Sequence, residues 1–543
     1  MTTGSAGGHP RSVVPRWRSF LNTPSIEFVA SNRFPDIAPT TGREFNSLIS
    51  AWRKDRSAAA AVDLMDAGIA SGSRQLALEG ARRLIAFPSG SLQERVWERA
   101  DAILFRKPRH IVASSLPIDE ENKEEIYRKI ASLKKEISSS PRNALSHVEI
   151  ARLYSRLGQF SPAEHHLRMA ITISPNDRFV LRAATRFFTV VGGNREVIQI
   201  LWSADAIKYD QWIQSAELAV ATLEGMSTRY AQKTAKALED IRRITKDNSE
   251  LVTGWISRKS LTRRPTKQDM RALSRSLADP TENALAQAMW MNEHSGKDFS
   301  EVFPGARFSP DAHEAKSIKA LEELDIQTAL SEGNKWFIDQ PFQVRSSINL
   351  AFIYYLYLKD YDGCLYVSKR GLFLHPQEWL LLNYCVISNA RLNRLSEAVI
   401  FLSRFEKAAV TKEAKVFLAA AKGVIAFQRG DFEQGRDHYV AAAREARATN
   451  RRDLALNAAI HMLEMLSIHG LVLQEDVEKS AALVERALKA LPIAEQKEMR
   501  ILWQERRKVI DAHMEGWAGP TVAQLAYSLA LMDMLPENDR SPL

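Results

Sequence analysis

Residues 144–177 read ALSHVEIARLYSRLGQFSPAEHHLRMAITISPND, and this stretch contains two amphipathic helical patterns joined by one turn. Apolar residues recur at three- and four-residue spacing in both halves, which is the period of a helix with one buried face. Gly158 is the residue type that ends a helix in the left-handed conformation, and Pro175 ends the second helix. Ser161, followed three residues later by Glu164, predicts a capping box at the start of the second helix.

The two helical patterns predict a hairpin whose helices pack against each other. Ala163, Leu167 and Ala170 of the second helix are expected to face the first helix, and the alanines let the two axes approach closely. Neither helix alone buries its apolar face, so the hairpin needs neighbours on which to stack.

This pattern resembles the tetratricopeptide repeat, a unit of about 34 residues with small, large and aromatic residues at fixed places and a terminal proline. Further units match at residues 345–377, from Trp379 onward, and near 416–449. His147 stands where the family usually has a large aromatic residue, so looser packing is expected there. The resemblance implies an all-α, right-handed α-solenoid of stacked helical hairpins, and three consecutive units meet the minimum for a stable stack.

Composition along the chain predicts its domain organisation. The first 45 residues are rich in Gly and Pro, which resist regular structure, and proline-containing zones at 105–118 and 303–311 separate helical regions. Whether repeats continue through residues 178–340 stays open. The expected organisation is a flexible, extended N-terminal tail at 1–45, helical hairpins at 46–115, a TPR-like helical array at 116–300, a C-terminal TPR array at 301–535 and a frayed tail at 536–543.

The overall composition restricts the class of protein. The chain has 543 residues, 45% of them hydrophobic, so it is too long for one compact core and is not disordered throughout. We expect a cytoplasmic protein with no membrane contact, because it has only two cysteines, no secretory signal pattern and no apolar stretch of about 20 residues.

Sequence patterns typical of enzymes are incomplete in this chain. Gly296-Lys297 lacks the leading Gly of a phosphate-binding loop, and Gly225 begins a nucleophile-elbow pattern without its last Gly. His313 begins a zinc-protease pattern, but Ser317 stands in place of the second His. The sequence therefore predicts a non-enzymatic protein without a catalytic residue, cofactor or metal.

The spacing of the histidines and cysteines does not indicate a metal site. His165 and His166 are adjacent on a helix and point in different directions, and His461 shares a helix face with Glu464 but has no evident third ligand. The two cysteines, Cys364 and Cys385, are expected to be small buried hydrophobic residues.

The repeat resemblance implies a groove that is lined by the first helix of each hairpin and binds an extended peptide or another protein. Arg152 and Arg156 lie four residues apart on the side of the first helix expected to be exposed, where they would clamp a carboxylate. Asn349, Asn383 and Arg391 are the corresponding polar candidates in later units. The alternative is a plain solvated face.

The basic excess, a net charge of +9, concentrates between residues 229 and 275. Arg229, Lys233, Lys236 and Arg243 are expected to share one helix face and to contact phosphates without reading bases. A solvated helix and loop is the alternative. The phosphate-contacting candidates are Arg229, Lys233, Lys236, Arg242, Arg243, Arg263 and Arg264.

Two functions therefore follow from the sequence. The first is a scaffold or adaptor that binds a protein or peptide partner through its helical-repeat groove. The alternative is a nucleic-acid-associated subunit of a larger complex that uses the basic stretch.

Overall fold

The structure is a computed structural model. It describes residues 13–17, 43–71, 74–88, 91–92, 94–105, 120–237, 241–295, 312–340, 342–472 and 474–514. Helices, turns and irregular segments make up this part of the chain, with no strand in it, which confirms the all-α class. The chain divides into two compact units, which we call the N-terminal unit (residues 10–342) and the C-terminal unit (residues 343–543).

The N-terminal unit consists of helices joined by short turns. They are α1 (Arg43–Lys54), α2 (Ala58–Ser71), α3 (Arg74–Ile85), α4 (Glu94–Phe105), α5 (Glu120–Ser139), α6 (Ala144–Arg156), α7 (Phe160–Ile173), α8 (Arg178–Val190), α9 (Asn194–Ser203), α10 (Gln211–Leu223), α11 (Ala231–Ala237), α12 (Ser249–Ser260), α13 (Lys267–Ser276), α14 (Glu282–Ser295), α15 (His313–Glu322) and α16 (Ile326–Asp339).

The C-terminal unit continues the same architecture. Its helices are α17 (Val344–Phe352, continued by a π-helical segment Ile353–Leu358), α18 (Tyr361–Leu374), α19 (Trp379–Arg391), α20 (Leu395–Ala408), α21 (Lys412–Arg429), α22 (Phe432–Ala448), α23 (Arg452–Ile468), α24 (Gln474–Ala490) and α25 (Ile493–Met514).

Helical hairpins stack in both units, as the TPR-like repeat pattern predicts. The first helices α6 and α8 begin at Ala144 and Arg178, about one repeat period of 34 residues apart. The unit predicted to begin at Trp379 begins there as helix α19. Hairpins are also present in the described part of residues 178–340, where the sequence left the question open, for example α8 with α9 and α15 with α16.

The second helices of the hairpins are buried on one side. In α7, Ala163, Leu167 and Ala170 are fully buried, as predicted, while much of the remaining helix surface is exposed. First helices differ, because α10 and α19 are buried around nearly their whole circumference. One side of a first helix packs on the second helix of its hairpin. The opposite side is buried only where another part of the chain covers it.

The start of the second helix in the 144–177 hairpin differs from the prediction. Gly158 has the expected left-handed backbone, with φ of 70°. Helix α7, however, begins at Phe160 and has no side-chain cap, so the capping role predicted for Ser161 is wrong. The Phe160 ring packs near Phe187 at 6.4 Å, and Glu164 forms an ion pair with Arg168 at 2.6 Å instead of a capping box.

The division between the two units also falls later than the predicted boundary at residue 300. The hairpin α15–α16 belongs to the N-terminal unit, which extends to Phe342. The Trp290 indole N–H of α14 donates to Glu314 of α15 at 3.2 Å, so this hairpin is joined to the preceding helix by a buried polar contact. The predicted frayed tail at 536–543 and the irregular zones at 106–118 and 303–311 lie outside the described residues.

Among the described helices, none combines the length and the apolar character needed to cross a bilayer.

Candidate peptide-binding groove

Residues 13–17, Val-Val-Pro-Arg-Trp, are non-helical and buried against first helices of the N-terminal unit. The sequence placed them in a flexible tail, and over these five residues that prediction is wrong. Trp17 is only 2% exposed, because its ring lies between side chains of the unit. We call residues 13–17 the N-terminal segment, and the surface of α8, α10, α12, α14 and α15 that surrounds it the groove.

The groove binds the backbone of the N-terminal segment. The Arg186 guanidinium of α8 donates from Nη2 to the carbonyl of Val14 at 2.7 Å and from Nε to the carbonyl of Pro15 at 2.9 Å. The Val13 N–H donates to Oε1 of Gln287 on α14 at 2.6 Å. Burial lowers the pKa of Arg186 to about 10, so it stays charged at neutral pH and binds two consecutive carbonyl groups.

The Arg16 side chain enters a pocket of three carboxylates. Its guanidinium lies 3.2 Å from Glu282, 3.6 Å from Glu314 and 3.9 Å from Asp339. The Arg16 and Glu314 side chains are 3% and 0% exposed, so their charges are removed from water and compensate one another. An arginine in this position is therefore selected by charge as well as by shape.

The Trp17 side chain fills an aromatic slot. Its ring stacks on Phe342 with a centroid distance of 5.3 Å and meets the edge of Phe187 at 6.2 Å. Beside Val13 and Pro15 a cavity of about 20 Å³ remains, which is room for roughly one water molecule. The segment thus fills its site closely.

A polar network in the groove wall holds this site in shape. The Arg182 guanidinium of α8 pairs with Glu250 of α12 at 3.0 Å and donates to the Trp212 carbonyl of α10 at 3.0 Å. Thr281 donates to the same Glu250 carboxylate at 3.1 Å. These contacts fix three successive first helices relative to one another, which preorganises the surface that receives the segment.

In the C-terminal unit, α25 covers first helices by its apolar stripe. Trp503 and Ile510 of this helix are buried, and α25 packs on α23 and on the π-helical part of α17. The Arg506 guanidinium reaches Glu464 of α23 at 3.1 Å and lies 4.6 Å from the ring centre of Tyr355. First helices are thus covered in this unit too, but here the covering element, α25, follows them in the chain.

The predicted groove residues of the C-terminal unit are largely enclosed. Arg391 pairs with Glu464 at 2.9 Å and its side chain is 7% exposed, so its expected role on an open groove face is wrong. Asn383 is buried and Asn349 is partly buried. Because Glu464 lies between two buried guanidinium groups, its pKa falls well below the ordinary value although burial alone would raise it.

Arg152 and Arg156 of α6 are not the exposed pair that the sequence predicts. Arg152 is buried and is bound by Glu149, one helical turn earlier, at 2.7 Å. Arg156 is partly buried. Arg152 is therefore already neutralised within its own helix, and these two arginines belong to a different unit from Asn349, Asn383 and Arg391.

The seven predicted phosphate-contacting residues are all exposed, but the four that were expected to share one helix face, Arg229, Lys233, Lys236 and Arg243, do not share one. Helix α11 ends at Ala237, Arg229 precedes it, and Arg243 lies in a separate 3₁₀ turn, Ile241–Arg243. The buried Glu217 carboxylate accepts the backbone N–H groups of Tyr230 and Ala231, which fixes the chain entering α11. The seven exposed residues are Arg229, Lys233, Lys236, Arg242, Arg243, Arg263 and Arg264.

His166 does not act with His165 but pairs with His147. The two Nδ1 atoms of His147 and His166 lie 3.1 Å apart beside a cavity of about 560 Å³ that Tyr154 and Lys134 also line. Burial first, and then the neighbouring His147, lower the pKa of His166 to about 4. The position where the repeat family has a large aromatic residue is thus filled by a neutral imidazole pair.

Both cysteines and His461 are packed among other side chains. Cys364 and Cys385 are buried, as predicted, and burial raises the pKa of the Cys364 thiol to about 12. His461 contacts Glu464 at 3.2 Å within the cluster that Arg391 and Arg506 form. Within the described residues no group of three or more His, Cys, Asp or Glu side chains has a metal-binding arrangement.

Sequence reasoning missed the N-terminal segment and its groove. The available signal was local: two valines and a tryptophan interrupt a stretch rich in glycine and proline. Its binding partners, from Arg186 to Phe342, carry no recognisable motif, because they are spread over α8, α14, α15, α16 and the turn at Phe342.

Comparison with known proteins gives no family assignment. No family model matches the chain, and no curated protein matches it. One similar solved structure is the crystal structure of the yeast Tom70, which aligns over 72% of this chain and 94% of that chain at 10% identity, with a TM-score of 0.28. A likeness of this degree carries no argument about function, and the helical-repeat fold rests on the helices described above.

Proposed function

We propose that this protein is a non-enzymatic adaptor whose N-terminal unit binds a non-helical peptide segment of a partner protein in the groove. The observation that supports the proposal is the N-terminal segment itself. It occupies the groove as a peptide ligand would, with backbone carbonyls bound by Arg186, one side chain in a charged pocket and one in an aromatic slot.

The contacts define the peptide that the groove prefers. A basic residue is needed to meet Glu282 and Glu314, and an aromatic residue must follow it to stack on Phe342. A proline before the basic residue restricts the free peptide and reduces the entropy lost on binding. We therefore propose a partner segment with the order apolar, proline, arginine, aromatic.

Direct binding in trans tests this proposal. In the full-length chain, the double substitution Arg16→Glu and Trp17→Ala prevents the N-terminal segment from occupying its own site. A labelled peptide of residues 10–20, PRSVVPRWRSF, is then added and its fluorescence anisotropy is measured. We expect saturable binding to the double variant and much weaker apparent binding to the unaltered chain, whose own segment competes.

Two controls make the measurement specific. A peptide carrying the same Arg16→Glu change should not bind, since it brings a carboxylate to Glu282 and Glu314. A groove variant that adds Glu282→Lys to the double variant should also lose binding. If the peptide fails to bind a double variant that retains full helical content, the segment is a structural part of the fold and the proposed function is wrong.

A further inference from the structure

Helix α13 carries a row of three exposed cations, Lys267, Arg271 and Arg275, at successive four-residue intervals. This spacing places them on one face of the helix, about 6 Å apart along its axis. Among the residues that the structure describes, these three side chains have no acidic partner. Like charges at four-residue spacing repel and destabilise an isolated helix, so the row is not explained by helix stability.

The carboxylate of α13 itself is turned inward. Asp269, the carboxylate of α13, is 6% exposed and pairs with Lys259 at 3.0 Å. Burial would raise its pKa, but hydrogen bonds from Thr266 and Lys259 lower it to about 2. Glu250 is likewise occupied by Arg182 inside the unit. Exposed Asp279, beyond the end of α13, pairs with Lys246 at 3.2 Å, so among the described residues the face of α13 that carries the row holds no carboxylate.

Neighbouring segments extend the basic surface. Arg263 and Arg264 lie in the turn that leads into α13 and both are exposed, and Arg263 pairs with Asp269 at 3.0 Å. The 3₁₀ turn Ile241–Arg243, which carries exposed Arg242 and Arg243, packs against α13. We call Lys267, Arg271 and Arg275 the cation row.

We infer that the cation row binds the phosphate backbone of a nucleic acid. A line of evenly spaced cations matches a linear polyanion, and such contacts supply affinity without reading sequence. Cations already contact the aromatic rings nearby: Lys259 lies 5.5 Å above the Trp255 ring and Arg229 lies 5.5 Å from the Tyr230 ring. Binding through the row is therefore directed at phosphates and independent of base identity.

The test is a titration of the full chain with labelled single-stranded RNA and, separately, with labelled duplex DNA over a range of salt concentrations. The triple variant Lys267→Gln, Arg271→Gln and Arg275→Gln removes the row while relieving its internal repulsion, so it should fold at least as well. A matched variant in the C-terminal unit, Lys412→Gln, Lys415→Gln and Arg429→Gln, removes the same charge from other exposed positions.

We expect the unaltered chain and the matched variant to bind equally, and the triple variant to bind at least tenfold more weakly at low salt. For single strands, the slope of log affinity against log salt should also fall by about 2, since each lost phosphate contact removes about 0.7. Equal binding by the triple variant, or no nucleic-acid binding by the unaltered chain, overturns the inference.

Vesicles of anionic lipid serve as the competing target. Binding to vesicles with no binding to either nucleic acid would assign the row to a lipid surface and also overturn the inference. The nucleic-acid titration and the peptide-binding measurement can fail independently, because the latter uses a basic peptide and different residues. The Arg16→Glu, Trp17→Ala variant should retain its nucleic-acid affinity.

Discussion

The Arg16 guanidinium lies 3.2 Å from the Glu282 carboxylate, and this ion pair connects the beginning of the chain with the first turn of α14. Both side chains are shielded from water, at 3% and 8% exposure. A contact between such distant parts of the sequence makes the N-terminal unit depend on a segment that local patterns assign to a tail.

Removal of the Arg16 charge should destabilise the N-terminal unit. Arg16→Ala leaves Glu282 and Glu314 buried without their cation, and loss of one partner from a buried ion pair costs about 3–5 kcal/mol. Urea unfolding, followed through tryptophan fluorescence, measures this change. The control Arg195→Ala removes a guanidinium that is 86% exposed and should change the unfolding free energy by less than about 0.5 kcal/mol. Equal effects of the two substitutions would contradict the buried pairing.

Conversion of Arg186 to lysine should loosen the N-terminal segment. Lysine keeps the charge but lacks the planar fork that binds the carbonyls of Val14 and Pro15 together, so about 1–2 kcal/mol should be lost. Trypsin cleaves after Arg16 only when the segment leaves the groove. We expect cleavage at this bond to accelerate about tenfold, which corresponds to about 1.4 kcal/mol. Cleavage no faster than in an Arg195→Lys control would contradict the contact.

Neutralisation of Glu464 should destabilise the C-terminal unit. Glu464→Gln leaves the Arg391 and Arg506 guanidinium groups buried without an anion, at a cost of about 3–5 kcal/mol in the free energy of unfolding. Glu485→Gln is the matched control, since Glu485 is 42% exposed in its pair with Arg500. We expect at most about 0.5 kcal/mol there. Urea midpoints of the two variants at neutral pH give the comparison.

The same carboxylate predicts a pH dependence. Because the folded-state pKa of Glu464 is lowered below its ordinary value of 4.5, its contribution is fully present above that pH and is lost as the pH falls below it. Urea midpoints between neutral pH and pH 3 should therefore fall less steeply in Glu464→Gln than in the unaltered chain. Parallel slopes in the two proteins would contradict the lowered pKa.

The His147–His166 pair predicts a second pH effect with a different window. The folded-state pKa of His166 is about 4 against an ordinary value of 6.5, so the unfolded chain binds more protons between these values. Stability should fall as the pH drops from 6.5 toward 4, and further acid should add nothing from this group. Lys134 and His165, which also line the cavity or lie beside the ring, oppose protonation as well.

Substitution separates His166 from the other groups. His166→Gln removes the titration and should flatten the stability profile in this window, whereas His165→Gln, at the exposed neighbouring position, should alter it much less, because His165 lowers the pKa of His166 only after burial and His147. Thermal melts at closely spaced pH values measure both variants. A profile that His166→Gln does not alter would show that the pair is protonated normally.

The helices were predictable from the sequence because their signal is local. Apolar spacing, Gly158 and the prolines predicted the hairpin at Ala144, and the same spacing predicted the start at Trp379. The environment of each polar residue was not predictable. Arg391 meets Glu464, and Arg16 meets Glu314, only after several hairpins have stacked, so no short window of sequence contains both partners.

For the basic stretch, too, the sequence gives the residues but not their orientation in the fold. Its excess of cations is visible in the sequence. Arg229 and Arg243, however, could share one helix face only in a continuous helix, and Arg243 lies in a separate 3₁₀ turn. The row on α13 presents only cations because Asp269, which lies between them in sequence, is buried inside the unit. Charge counts treat inward and outward residues alike, whereas a surface potential depends on the outward ones.

The position of the N-terminal segment has a consequence for synthesis of the protein. Residues 13–17 are synthesised before the helices of the groove, and Phe342, which completes their aromatic slot, follows more than 300 residues later. At about 5–20 residues per second, the segment waits roughly 15 to 65 seconds for its site. When Phe342 completes the slot, the segment has already been made and is attached to the same chain, so a partner peptide meets this competitor from the moment that the groove is complete.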